Sequence, residues 1–402
     1  MDRAPWVLAF ALVGLACRHQ DDGDDDFGED DLAGVETPAS EHPPMASCPA
    51  GAPTLGIADG TAVDRVALNW DSNGVESYVD DYLYFMVPDD ILSLMIAVEH
   101  DAELTSVNSM VLDNQVYIDM LGAFGEAPFW HWPVAVASVA MPISENTLPR
   151  GGCLVLDPVA YADLAGESGT LHIVSRRGPS VPTLIDVNVY LVGDTQIPQA
   201  DIDAALAHMD ELYQNGGSAA LGQVTFETID WPDPFVDSEG PEADQLRAST
   251  SVQRPNAINL LFIQDFNEVG TLGIAAGIPG PNGVAGTAAS GVMVSVDTHL
   301  DGDGTTILTD LMGETMAHEV GHQLGLFHTS EDTGLDHDGI ADTPECGLEY
   351  DSNGDEELSA EECEAHGGRN FMFWASSDEF GQYEMSATQA MVLRDSVIAR
   401  PQ

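Results

Sequence analysis

The sequence predicts a multidomain chain: an N-terminal all-β, sandwich-like half, then an α/β half with a mixed sheet and one long helix. Three observations carry this. Residues 48–182 alternate short β-rich runs with turn signals. From residue 183 onward, strand-like and helix-like patterns alternate, as an α/β arrangement requires. The length of 402 residues, 44% of them hydrophobic, supplies cores for two or three domains of roughly 100–200 residues each.

Residues 1–17 place one arginine, Arg3, before an apolar run of about a dozen residues, the layout of a short export signal. A bilayer span would need about 20 apolar residues. The run ends in Gly14-Leu15-Ala16-Cys17, which resembles a bacterial lipoprotein box, although a larger aliphatic residue is usual at the place of Gly14. The resemblance implies lipidation of Cys17 and a cell-surface or outer-membrane lipoprotein of a bacterium; the alternative is simple secretion with cleavage near Ala16. Residues 18–47 begin with the run DDGDDDFGEDD at 21–31. Such a stretch repels itself and cannot bury apolar surface, so it reads as an acidic, disordered tether.

The β-rich runs of the next segment are 62–70, 78–88, 92–100, 116–121, 133–141 and 170–178. No cluster of chemically reactive side chains lies among them. Setting Cys17 aside, four cysteines remain: Cys48, Cys153, Cys346 and Cys363. An even number in an exported chain implies disulfides, with three pairings open. Cys48–Cys153 and Cys346–Cys363 are favoured, because each pair then lies within one half.

In the α/β half, 186–193, 223–229 and 258–264 read as strands and Asp201–Tyr213 as an amphipathic helix. Residues 271–296 carry no charge, but their glycines, Pro279, Pro281 and Asn282 argue for strand, open loop and strand rather than a membrane span. A helix follows over 306–324, with apolar residues at 307, 308, 311, 312, 316, 320 and 324.

That helix carries His318, Glu319 and His322. The two histidines are one turn apart, so both rings project from one face and can share a metal. Gly325 stands where the helix must stop, and glycine takes the left-handed conformation that turns the chain. His328 can then return as a third ligand. Three neutral imidazoles leave the fourth position of a tetrahedral Zn²⁺ open, which is the catalytic arrangement, and Glu319 is placed to take a proton from water there.

The eleven residues from His318 to His328 resemble the signature of the metzincin zinc metalloproteases. The flanking HEVGHQLGLFHTSE, GIADTPEC (339–346) and Asn370-Phe371-Met372 are similar to the pappalysin branch, which includes ulilysin. The likeness spans about 184–400, including the C-terminal helix of 386–399. It implies a metzincin-like zincin domain over 183–402, a methionine turn at Met372 beneath the zinc, and calcium bound near Asp336, Asp338 and Asp342. The branch usually has a tyrosine two residues after the methionine. This chain has Trp374, whose indole N–H cannot ligate zinc but can donate to an oxyanion.

Asp351 to Glu362 resembles an EF-hand calcium loop: Asp351, Asn353, Asp355, Ser359 and Glu362 supply side-chain oxygens and Glu357 its carbonyl. Its sixth position is Glu356 where glycine is normal. With Cys346 and Cys363 bracketing this loop, 333–366 reads as a calcium-binding insertion. DGDG at 301–304 reads as a turn before the active helix.

Charge bounds the partners. There are 68 Asp+Glu against 11 Lys+Arg, a net charge of −57, and all 11 cations are arginine. The lack of lysine excludes Schiff-base and phosphate-loop lysine chemistry. Phosphate backbones and anionic lipid would be repelled, so no nucleic acid is expected and membrane contact only through a lipid anchor. Metals and basic peptides are the matching partners.

Together these readings point to a secreted or surface-anchored zinc endopeptidase acting on protein or peptide substrates, with Glu319 as general base and acid. Two alternatives stand beside it: a catalytically idle, calcium-stabilised surface adhesin, and a peptidase restricted to small peptides. Pro149-Arg150-Gly151-Gly152-Cys153 also faintly resembles a zinc-blocking cysteine switch, for which Cys153 would have to be free.

Overall fold

A computed structural model describes residues 16–18 and 48–402, apart from 57–59, 75, 80–81, 101–103, 120–135, 218, 239 and 378. The expected export signal and acidic tether lie outside the described residues, except for the backbone of 16–18.

The first half forms two antiparallel sheets. One runs in the order Gly60–Asn69, Ser168–Arg177, Ile91–Glu99, Val136–Met141. The other centres on Gly152–Ala160, paired with Thr105–Leu112 and Leu83–Val87. Leu94, Ile96 and Val98 of the first sheet meet Met110, Leu112, Leu154 and Leu156 of the second in one core. In the second sheet, strands 105–112 and 152–160 lie outside the β-rich runs named above, because Asn108, Asp157 and Pro158 interrupt their pattern. The ladder accommodates the proline by a register shift between Asp157 and Pro158.

Alternation along a strand sends neighbouring side chains to opposite faces. On Ile91–Glu99 that puts Met95 and Ala97 on the face away from the sandwich core, where with Val136 and Val174 they join the core of the α/β half. This inner sheet is thus buried on both sides, which explains the nearly unbroken burial of ILSLMIAVE.

The second half is built on a mixed sheet in the order Thr271–Ala275, Val292–Ser295, Ala257–Ile263, Thr183–Val192, Ala219–Ile229. The last four are parallel and Thr271–Ala275 is antiparallel to its neighbour. The outer side of Thr271–Ala275 pairs antiparallel with residues 16–18. Helix α1 (Gln199–Asn215) buries Ile202, Ala205, Leu206, Met209, Leu212 and Tyr213 against the sheet and the active helix. Helix α2 (Pro241–Ala248) has a proline at its start, where a missing N–H costs nothing. Helix α3 (Thr309–Leu324) crosses beside the edge strand, and α4 (Ala387–Asp395) leads to a short strand, Arg400–Pro401, that pairs with Thr183–Val192.

The helix expected over 306–324 begins three residues later. Ile307 instead bridges Leu300, and the Asp301 carboxylate accepts the amides of Thr305 and Thr306. DGDG is the expected turn.

Candidate metal centre

Three imidazoles converge in the interior at the end of α3. His318 Nε2 lies 2.9 Å from His322 Nε2 and 3.1 Å from His328 Nε2, and the last two are 3.1 Å apart. All three residues are buried. Among the described residues, no other group of three His, Cys, Asp or Glu side chains brings its ligand atoms within 4.8 Å of one another.

Each ring is held from behind. His318 Nδ1 donates to the Phe371 carbonyl and His322 Nδ1 to the Leu326 carbonyl, both at 2.7 Å. His328 Nδ1 bonds the Glu331 carboxylate at 2.8 Å. A carbonyl can only accept, so these partners fix the proton on Nδ1 and turn the Nε2 lone pairs of His318 and His322 toward the common point. Burial, reinforced by the neighbouring rings, pushes His318 down to about 3 and His322 well below its usual value. Both are therefore neutral, ligand-ready imidazoles at any ordinary pH. The donor set and its spacing fit a zinc ion with one position left open.

The chain reaches this geometry through two glycines. Gly325 takes φ 109°, ending the helix with its N–H on the His322 carbonyl and that of Leu326 on the Gly321 carbonyl. A Cβ on Gly321 would stand 2.5 Å from Met372 Sδ. The missing side chain lets Met372 pack directly against α3 at Gly321.

The turn at Met372 is itself locked. Asn370 and Gln389 exchange two side-chain hydrogen bonds of 2.9 and 3.1 Å, Asn370 Oδ1 accepts the Met372 amide, and Gln389 also closes the capping box that starts α4. Sequence reasoning missed Gln389, Glu331 and the Phe371 carbonyl. Only Ser386-x-x-Gln389, a capping-box pattern, offered a signal.

Glu319 is fully buried on α3 beneath the edge strand. A Cβ on Gly273 would lie 2.8 Å from Glu319 Cγ and 2.9 Å from Thr315 Cγ2, so the strand passes at a distance only glycine permits.

Other expected residues sit elsewhere. Trp374 Nε1 donates to the Leu358 carbonyl at 2.6 Å, which commits the indole to the insertion instead of an oxyanion. Both favoured disulfides are formed, Cys48–Cys153 and Cys346–Cys363. Cys153 therefore has no free thiol for a switch.

Within 351–362, Glu356 adopts φ 69°, the sharp turn a glycine normally makes. Asp351 accepts the amides of Gly354 and Glu356, and Asn353 and Asp355 bond each other. Glu362 accepts from Ser352, Asn353 and Ser359. Partial burial pushes Glu362 up, but the donors of Ser352 and Ser359 outweigh it and lower it to about 2. Neither Asp336, Asp338 and Asp342 nor Asp351, Asp355 and Glu362 bring their carboxylate oxygens all within 4.8 Å of one another. Asp338 accepts from Ile340 and Thr343, Asp342 from Thr388 at the start of α4, and the Asp336 carbonyl from Glu331.

Comparison with known proteins bears on this centre. Residues 199–329 match a family described as metallo-peptidase family M12B, reprolysin-like, and the matched stretch contains all three histidines and Glu319. No curated protein matches the chain in sequence. Among solved structures it is similar to metalloproteinase-II from Bacteroides fragilis, at 13% identity and TM-score 0.35, covering 55% of each chain. It is also similar to archaemetzincin from Methanopyrus kandleri, at 16% identity and TM-score 0.25, covering 37% of this chain and 78% of that one. The chain thus spans about half the length of the Bacteroides protein. The family match and the three-histidine group together support a zinc-dependent metallopeptidase.

Proposed function

We propose that this protein is an exported zinc endopeptidase of the metzincin type. The observation that carries the reading is the convergence of three Nε2 atoms within 2.9–3.1 Å, with Nδ1 of the two helical rings bonded to backbone carbonyls. His318, His322 and His328 would hold the ion, which when bound acidifies water and polarises a carbonyl. Glu319 takes the proton from the attacking water and returns it to the leaving amine, so the peptide bond is cleaved with one water consumed. Met372 packs beneath the centre as structural support.

The edge Thr271–Ala275 would seat the substrate. It already accepts a strand antiparallel, residues 16–18, so its outer backbone groups are arranged for strand addition. The net charge of −57 favours basic peptides. Equal cleavage of acidic and basic peptide libraries would remove that preference.

Export agrees with the two disulfides, and the Cys17 lipobox would anchor the protein to a bacterial surface. The 351–362 loop is proposed to bind calcium as a structural ion, supported by its EF-hand order of oxygens and its turn at Glu356. The decisive test compares wild type with Glu319→Ala on a denatured protein. We expect cleavage to fall by about 10²- to 10⁴-fold with zinc content unchanged. Equal cleavage by both would assign the activity elsewhere.

A further inference from the structure

We infer that Glu331 is the positioning residue of the metal centre: through its bond to His328 it fixes the third ligand and sets the affinity for the ion. The inference rests on reading the three histidines as a zinc site. His318 and His322 project from one helix and are held by backbone carbonyls, whereas His328 lies four residues beyond the end of α3. Something else must hold its ring, and the contact seen is Glu331 Oε2 on Nδ1 at 2.8 Å.

Glu331 differs from its counterparts in charge. The Nδ1 atoms of the helical ligands face neutral carbonyls of Phe371 and Leu326, whereas His328 faces a carboxylate. An anionic acceptor strengthens the hydrogen bond and makes the opposite nitrogen a better donor to a cation. It also places one unit of negative charge one ring away from a divalent ion.

The carboxylate is presented from a rigid base. The Glu331 amide donates to the Asp336 carbonyl and its own carbonyl accepts from Gly334. On either side, Thr329 donates to the Met372 carbonyl, Ser330 Oγ accepts the Cys346 amide at 2.8 Å, and the Asp332 carbonyl accepts from Leu358. The Cys346–Cys363 disulfide closes the same insertion. The insertion thus grips 330–332 at successive residues, Met372 holds 329, and together they aim Glu331 at His328. Its side chain keeps 32% of its exposure, so it can be replaced without opening the core.

The test measures zinc affinity of the full chain by chelator competition for wild type, Glu331→Gln and Glu331→Ala, with apo-protein Tm recorded alongside. We expect Glu331→Ala to bind zinc about 10- to 100-fold more weakly. Glu331→Gln, which keeps an acceptor but not the charge, should recover part of that loss, with apo Tm values alike. In Co²⁺-loaded protein the visible absorption band should shift in the alanine variant. Equal zinc affinity in all three would overturn the inference, as would an alanine loss fully matched by a drop in apo stability and not reduced by glutamine. Should alanine fail to fold, glutamine against wild type decides: equal affinity counts against the role, a weaker one for it. If wild type itself binds no zinc, the zinc reading fails first, which separates the two claims.

Discussion

At Gly273 the edge strand crosses α3 so closely that a Cβ would stand 2.8 Å from Glu319 Cγ. A methyl group there must push either the strand or the carboxylate aside. Displacements of about 1 Å in an active site cost up to 10²-fold in rate. Gly273→Ala should therefore lower kcat on a peptide substrate by about tenfold or more while zinc content stays at the wild-type level. Unchanged kcat would show that the strand yields instead of the base. Other residues shape stability without touching the site. Burial pushes the Asp157 carboxyl, in the sandwich, up to about 6, with Asn108 partly offsetting it. Its folded value lies above the ordinary 3.8, so the folded state keeps an extra proton between about pH 4 and 6. That contribution to stability is complete below the window and is lost as pH rises through it. Asp157→Asn should accordingly raise Tm by a few degrees at pH 8 and leave it unchanged near pH 3.5. A gain of equal size at both pH values would contradict the assignment.

Elements carry the parts of the account that the sequence disclosed best and worst. Helix α3 was legible because its chemistry is local: ligands one turn apart, then a glycine that ends the helix, sit within eleven residues. The C-terminal helix entered through the family resemblance, and the capping box of Ser386 and Gln389 that starts it was a local signal left unread. What holds the ligands was not legible. The Phe371 carbonyl reaches His318 across 53 residues and Gln389 reaches Asn370 across 19, and no spacing rule encodes such contacts. Trp374 shows the converse. Its position suggested a donor near the metal, but its indole is taken by the Leu358 carbonyl of the insertion. The Asn370–Gln389 pair gives an element-scale prediction. Gln389→Ala removes two buried hydrogen bonds to Asn370 and the capping-box bond to the Ser386 amide, and leaves Asn370 Nδ2 without that acceptor, at about 2–3 kcal/mol. Thermal melting of the apo protein should show that loss, and an unchanged Tm would mean the methionine turn is held otherwise.

The whole molecule is less divisible than its sequence suggests. The strand pattern indicated a self-contained sandwich, yet the inner sheet presents Met95, Ala97 and Val174 to the core of the α/β half. Periodicity reports that a face is apolar and not what covers it. The joint lies beside the metal centre. A Cβ on Gly325 would meet Ile143 Cγ2 at 2.8 Å, and Phe327, between two metal-site residues, packs against the sandwich core. Farther along, buried Arg176 donates to the carbonyls of Arg394 and Ser396 at 2.9 and 3.1 Å, and Thr61 to that of Val397 at 2.8 Å. Arg176→Ala strips a charged donor from both carbonyls at once. It should cost about 2–4 kcal/mol, and calorimetry should still show both halves unfolding in one transition. Two separated transitions in the wild type would contradict this shared core.

The metal centre and its proposed chemistry depend on whether the three rings share one ion. The most direct measurement is zinc per chain in purified full-length protein, by plasma mass spectrometry after exhaustive dialysis, for wild type and His328→Ala. One zinc per chain in the wild type, and its loss in the variant at preserved circular dichroism, is the predicted result. A folded wild type without zinc, or a variant that keeps it, would contradict the centre described here.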